Sequence, residues 1–122
     1  MNDRVVPDRD VPGAYWVRFG PTQQSFVDPD RPDFLLFEYV QHVAMLLDHT
    51  LLDVPAERRL RVVHIGGAGM TLPRWVAWRR PGTAQVVCEP DVALTEEVRR
   101  KAPLPPRSGI KVRDVDGRAG LR

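Results

Sequence analysis

The chain has 122 residues, enough for one domain with a modest core, and its 43% hydrophobic and 28% charged residues are ordinary for a globular protein. No apolar run is long enough to span a bilayer and the N-terminus has no uninterrupted apolar stretch, which predicts a cytoplasmic protein with no secretion signal and no membrane partner. The net charge is only +2 and basic residues are interspersed with acids, which argues against a nucleic-acid partner. A single cysteine excludes a disulfide framework and a cysteine metal cluster, and no metal is predicted.

The first part of the chain is predicted to be a loose arm followed by a small β unit. Residues 1–14 are polar and contain two prolines, which is typical of a loose N-terminal arm. β-Propensity predicts a strand at Tyr15–Phe19 and a return strand at Gln24–Val27 after a Gly-Pro-Thr turn. Phe34–Phe37 is short and apolar, and we expect it to be a third strand.

A helical period begins after this unit and predicts an amphipathic helix over about residues 37–52. The apolar positions that repeat at helical spacing are Val40, Val43, Ala44, Leu47 and Leu51. An Asp-Val-Pro segment ends the helix. Residues 15–52 are therefore assigned to a β hairpin unit with its following helix, and residues 53–122 to the main domain.

Strands and helices alternate in the main domain. The predicted strands are Arg61–Ile65, Ala84–Cys88 and Ile110–Arg113. Between them, one helix is predicted over Thr71–Arg79 and another from Asp91 to about Lys101, with Thr71 and Asp91 as N-caps. The last residues are predicted to lead into a further helix. The order β-α-β-α-β predicts an α/β fold with a parallel sheet, equal to half of a doubly wound sheet.

A candidate ligand site begins where the first of these strands ends. Gly66, Gly67 and Gly69 form a glycine turn between a strand and a helix, where backbone N–H groups are free and a ligand can approach closely. Leu72 occupies a place where the dinucleotide fingerprint needs a small residue, and no G-K-[ST] follows, so the turn favours a nucleoside over a pyrophosphate. A tight turn that needs glycine only for its backbone conformation is the alternative.

Two acidic residues follow the neighbouring strands at the same edge of the predicted sheet. Glu89 ends the second strand, where a carboxylate can accept hydrogen bonds from both ribose hydroxyls; capping of the next helix is the alternative. Asp116 and Gly117 follow the third strand and can offer an acceptor to an adenine amino group, or form a simple turn. His64 lies inside the first strand and is predicted to be a packed histidine and not a metal ligand.

These motifs resemble, in order and spacing, those of the S-adenosylmethionine-fold enzymes, above all the spermidine synthase (polyamine aminopropyltransferase) group. The segments that carry the resemblance are V-V-H-I-G-G-A-G, V-V-C-E-P-D and V-R-D-V-D-G-R-A-G-L. Upstream, G-P-T-Q resembles the D-G-x-x-Q turn of that family, and F-E-Y-V-Q resembles its F-x-Y-H-E segment. The resemblance covers roughly residues 15–121.

The resemblance implies a Rossmann-like methyltransferase-type fold and decarboxylated S-adenosylmethionine as cofactor, whose aminopropyl group moves to a polyamine nitrogen. The residues it implies at the cofactor are Gly66, Gly67, Gly69, Glu89, Asp116 and Gly117. The glycines would form the nucleoside turn, Glu89 would hold the ribose, and Asp116 would lie by the adenine. Gln23 and Tyr39 would face the aminopropyl group or the amine substrate, and oligomers would form through the N-terminal β unit.

The chain also departs from the family pattern. Its glycine turn has no acid where the family usually reads G-G-G-D-G, Phe19 replaces an aspartate, and Val40 replaces a polar residue after Tyr39. The family's catalytic aspartate lies after a fourth strand, which we expect to be missing here, so no catalytic residue is assigned. The predicted function is a spermidine synthase-like protein that binds the adenosine part of decarboxylated S-adenosylmethionine and lacks the catalytic half.

Two other functions stay open at this point. The chain can be a non-catalytic relative that acts as an oligomerising module, or a methyltransferase fragment that uses S-adenosylmethionine itself. Without a fourth strand, Val62–Ile65 becomes an exposed apolar edge. We therefore expect a homo-oligomer or a partner chain that covers this edge.

Overall fold

Two three-stranded sheets form the framework in the computed structural model, which describes residues 3–121. The strands are β1 (Val5–Pro7), β2 (Tyr15–Phe19), β3 (Thr22–Val27), β4 (Arg61–Ile65), β5 (Ala84–Cys88) and β6 (Ile110–Arg113). The helices are α1 (Glu38–His49), α2 (Thr71–Arg79), α3 (Val92–Lys101) and α4 (Gly117–Gly120). The first sheet is antiparallel and the second is parallel, which confirms the predicted α/β fold and its β-α-β-α-β order. Within residues 3–121, none of the helices has the length and apolar character needed to cross a membrane.

The predicted loose arm contains a strand instead. β1 pairs with β2 in the register Val5 to Val17, and Val5 is fully buried. The Glu97 carboxylate on α3 accepts hydrogen bonds from the backbone N–H groups of Arg4 at 3.0 Å and Val5 at 2.8 Å. The Lys101 ammonium donates to the Val5 carbonyl at 2.7 Å. These contacts with α3 hold the segment in place, whereas Met1 and Asn2 of the predicted arm lie outside the described residues.

The prediction of a strand at Phe34–Phe37 is wrong, since this segment has no strand pairing. The Gln41 side chain from the first turns of α1 donates to the Leu35 carbonyl at 2.7 Å. Leu35 is buried in a cluster with α1 and α2, and Phe34 meets Phe26 edge-on. The apolar residues here therefore serve the junction between β3 and α1, and β1 is the third strand of the sheet.

Helix α1 ends three residues before the predicted bound and buries only part of its apolar face. Ala44 is buried, and Val40 and Leu47 pack partly against Trp75 and Val76 of α2. The other two residues of the predicted face, Val43 and Leu51, are exposed. The helix therefore packs one row of apolar side chains against α2 and leaves a second row exposed.

The parallel sheet has the order β4-β5-β6, and its strands match the predicted bounds. Asp91 caps α3 as predicted and accepts a hydrogen bond from the backbone of Leu94 at 3.1 Å. The predicted cap at Thr71 is wrong, because Thr71 is already helical and its hydroxyl donates to the Phe26 carbonyl at 2.7 Å. Thr71 therefore joins α2 to β3, and Met70 in a left-handed conformation precedes the helix as its N-cap residue.

Strand β4 lies at the end of its sheet, with no strand from residues 3–121 on its outer side. Two of its apolar side chains are open, Val63 with 48% and Ile65 with 61% of their surface exposed. A strand with unpaired backbone groups and apolar side chains is a surface on which other chains can pair.

Candidate ligand-binding site

A cavity of about 530 Å³ opens at the carboxyl end of β4. Its walls come from the glycine turn, the first residues of α1 and α2, the middle of β3 and the end of β5. Of the predicted site residues it contains Gly66, Gly67, Glu89 and Tyr39. Its size is in the range of small-molecule sites.

The glycines of the turn have different structural roles. Gly66 has φ of 82° and faces open space, so its glycine is required by the backbone conformation. A Cβ atom on Gly67 would lie 2.5 Å from a methyl group of Val87, so this position needs glycine because the turn packs closely on β5. Gly69 is buried against Val17 and Val27 of the first sheet and does not line the cavity. The turn is therefore accessible at Gly66 and closely packed at Gly67 and Gly69.

The Glu89 carboxylate is bound to the glycine turn. One oxygen accepts from the backbone N–H groups of Gly67 at 3.1 Å and Ala68 at 3.2 Å, and the other accepts from Asp91 N–H at 3.2 Å. The side chain therefore links the turn after β4 to the beginning of α3. A carboxylate offers about four acceptor positions, so roughly one is left for a ligand in this arrangement.

Asp116 and Gly117 lie next to this cavity without lining it. The Asp116 carboxylate caps α4 and accepts from the Ala119 backbone at 2.7 Å. Gly117 lies directly against the Ile65 side chain, and a Cβ atom there would collide with it. α4 therefore packs on the end of β4. Asp116 and Gly117, for which a simple turn was the alternative prediction, are part of this packing.

Of the two residues predicted to face the substrate, Tyr39 lines the cavity and Gln23 does not. Tyr39 lines the cavity with 64% of its surface exposed, and its ring stacks on Phe37. Gln23 pairs opposite Arg18 and does not reach the cavity, whereas the next residue, Gln24, does. Gln24 is the extra residue of a β-bulge, since Val17 pairs with Ser25 and Arg18 with Gln23. Strand alternation alone therefore could not decide between Gln23 and Gln24.

His64 lines the cavity, which its pattern in the sequence did not predict. It is packed in the sheet as predicted, yet it also lines the cavity. Its Nε2 lies 2.6 Å from the side-chain oxygen of Gln85, and burial lowers the pKa of His64. Gln85 is 1% exposed, and a glutamine in the middle of an apolar strand was the available signal for a buried polar contact.

The charge of the cavity is negative. Within the described part of the chain, Glu89 is the one lining residue that carries a formal charge when His64 is neutral. A ligand with a positive charge fits this setting better than one with a free carboxylate. Across residues 3–121, no cluster of three or more histidine, cysteine or acidic side chains is arranged to hold a metal ion.

A buried arginine supports the turn from below and was missed in the sequence. Arg74 on α2 donates from Nε to the Gly69 carbonyl at 3.0 Å and from its other nitrogens to the carbonyls of Ala102 and Pro103. Burial lowers its pKa to about 10, which leaves it charged at neutral pH. The guanidinium ties the end of the glycine turn to the loop after α3.

The fold is similar to that of a solved protein, the crystal structure of a probable spermidine synthase from Corynebacterium glutamicum ATCC 13032. The TM-score is 0.75 and the sequence identity 24%, over 96% of this chain and 42% of that chain. The chain therefore spans less than half the length of that protein. No protein-family model matches the chain, and no curated protein matches its sequence. The similarity confirms a spermidine synthase-like, Rossmann-like fold.

Proposed function

We propose that this chain, whose fold is spermidine synthase-like, binds the adenosine part of decarboxylated S-adenosylmethionine in the cavity at the end of β4. The observation that carries the proposal is the contact between the Glu89 carboxylate and the glycine turn. It brings a ribose acceptor and an open backbone turn together at one sheet edge. In the proposed reaction the aminopropyl group passes to a polyamine nitrogen, and no catalytic residue is assigned within residues 3–121.

The charge of the cavity supports the decarboxylated cofactor. This ligand carries a sulfonium and an ammonium group, both of which are attracted by Glu89. S-Adenosylmethionine itself adds a carboxylate, for which the described lining offers no cationic side chain. Tighter binding of S-adenosylmethionine than of its decarboxylated form would favour a methyltransferase-type ligand instead. A cytoplasmic location, as predicted from the sequence, is part of the proposal.

Ligand binding is expected to exchange hydrogen bonds at Glu89. The two bonds from the turn, at 3.1 and 3.2 Å, occupy one carboxylate oxygen, so a ribose that binds Glu89 through both hydroxyls needs at least one of these acceptor positions. Ribose hydroxyls would replace Gly67 and Ala68 as donors, and the released backbone N–H groups would then face the ligand. Because the free chain must give up these contacts, the measured affinity includes the cost of opening the turn.

Titration calorimetry with methylthioadenosine tests this proposal. We expect the wild-type chain to bind and Glu89→Gln to bind about tenfold or more weakly, because a hydrogen bond to a charged group contributes about 1.5–3 kcal/mol. Glu96→Gln is the matched control, since Glu96 is an exposed glutamate on α3, and it should bind like the wild type. Equal affinities of the wild type and Glu89→Gln for methylthioadenosine would contradict ribose binding by this residue.

We also propose that the free edge of β4 is covered by a second copy of the chain or by a strand from a partner chain. Val63 and Ile65 on the strand, together with Val43 of α1, which lines the same cavity, are exposed apolar residues. Burying them in an interface removes apolar surface from water. Sedimentation at micromolar concentration should give a mass above 13.8 kDa for the isolated chain, and a monomer at that concentration would contradict self-association.

A further inference from the structure

The orientation of the His64 ring is fixed by a short chain of hydrogen bonds. The side-chain nitrogen of Gln85 donates to the Pro73 carbonyl at 3.0 Å, and a carbonyl can only accept. The amide oxygen of Gln85 is therefore the atom that faces His64 Nε2 at 2.6 Å. Because an amide oxygen carries no proton, Nε2 must be the protonated nitrogen of the imidazole.

The second nitrogen of the ring is then an acceptor without a partner. Nδ1 forms no hydrogen bond to any described residue, whereas Nε2 does. Nδ1 is not fully buried either. Among the side-chain polar atoms of residues 3–121, the one that is fully buried and has no hydrogen-bond partner is Thr95 Oγ1. Nδ1 is thus accessible, on a side chain that lines the cavity with Glu89. Burial favours the neutral ring, which keeps this lone pair free.

Two of the other polar groups of the cavity, on Thr71 and Glu89, already form hydrogen bonds within the chain. The Thr71 hydroxyl donates to the Phe26 carbonyl and lies 3.1 Å from the Ser25 hydroxyl. Glu89 binds the glycine turn. An amino group on a ligand held at the glycine turn would find an open acceptor at His64, which lies two residues before the turn, whereas the polar side chains of Gln24 and Tyr39 belong to the walls formed by β3 and α1.

We propose that His64 Nδ1 accepts a hydrogen bond from the amino group of the bound ligand, which makes His64 a specificity-determining residue of the cavity. This inference rests on the proposed function, because it takes the nucleoside to lie at the glycine turn. The bond would be charge-assisted, with the ammonium as donor and the neutral imidazole as acceptor.

Two ligands that differ only in the amine test the inference: the 5′-propylthio and 5′-aminopropylthio derivatives of 5′-deoxyadenosine. By calorimetry, the wild-type chain should prefer the aminopropylthio compound by about tenfold or more. His64→Gln can still donate to Gln85 but has no acceptor in the place of Nδ1. It should lose most of the preference, keep the part that the charge of Glu89 supplies, and keep its affinity for the propylthio compound. His64→Asn places an amide oxygen near the Nδ1 position and should keep part of the preference.

A ¹⁵N NMR spectrum of the wild type at pH 7 provides a readout that needs no ligand, and we expect the Nε2–H tautomer of His64. A proton on Nδ1, or on both nitrogens, would overturn the inference even if His64→Gln fails to fold. Binding of both compounds with equal affinity by the wild type would overturn the inference and leave the proposed function standing. Binding of neither compound would overturn the proposed function and the inference with it.

Discussion

Replacing Arg74 with methionine is expected to lower the free energy of unfolding by about 3 kcal/mol. The residue is 5% exposed, and its guanidinium donates to the carbonyl groups of Gly69, Ala102 and Pro103. Methionine keeps most of the side-chain volume but has no donor. All three carbonyls would then lose the partner that satisfies them in the folded protein.

The expected loss is smaller than the sum of three charged hydrogen bonds, each of which contributes about 1.5–3 kcal/mol. Burial lowers the pKa of Arg74 to about 10, which shows that moving the charge out of water has a cost of its own. Methionine removes that cost together with the hydrogen bonds. The net effect is therefore placed near the upper end of the range for one hydrogen bond to a charged group.

Urea unfolding of Arg74→Met and Arg79→Met compares the stability lost at a buried arginine with that lost at a more exposed one. Both residues are arginines on α2, but the Arg79 side chain is 36% exposed and its partner Asp48 is 38% exposed. An exposed ion pair of this kind contributes at most about 1 kcal/mol. Equal losses in the two variants would show that the buried guanidinium does not stabilise the fold in the way described.

Replacing Gly109 with alanine is expected to cost about 3 kcal/mol of unfolding free energy, from two separate causes. The residue has φ of 77°, a conformation that costs a side chain with a Cβ about 1–2 kcal/mol. The added Cβ would also lie 2.6 Å from the Thr83 carbonyl oxygen. The segment cannot move away freely, because the Gly109 carbonyl accepts from the backbone of Gln85 at 2.8 Å.

Gly82→Ala separates these two causes. Gly82 has φ of 88°, but its Cβ position faces open space. It should lose only the conformational part, about 1 kcal/mol. Chemical denaturation of both variants measures the difference, and similar losses at the two positions would mean that the contact with Thr83 is relieved without cost.

The main domain could be predicted closely because its signals are local. The strands of the parallel sheet are short apolar runs, and Pro81-Gly82 and Asp91 mark the neighbouring helix ends. β1 and Phe34–Phe37 could not be predicted this way. The first depends on an acid that is 92 residues away, and the second on a side-chain contact from α1.

The candidate site was predictable only where it depends on the order of the elements. Parallel topology brings the ends of β4 and β5 together, so the meeting of Glu89 with Gly67 follows from the order of the elements. The walls of the cavity depend on how β3 and α1 pack around that edge. The place of Gln24 in the wall and the orientation of His64 therefore became visible only in three dimensions.

The anchoring of β1 has a consequence for folding during synthesis. The Val5 backbone donates to Glu97, which the ribosome adds 92 residues later. At about 5–20 residues per second, the first strand waits roughly 5–18 seconds for this partner. Until then its pairing with β2 is a short hairpin extension of little stability. The N-terminal sheet should therefore be completed only after α3 has been made, and a nascent chain stopped before α3 should expose β1 to proteases.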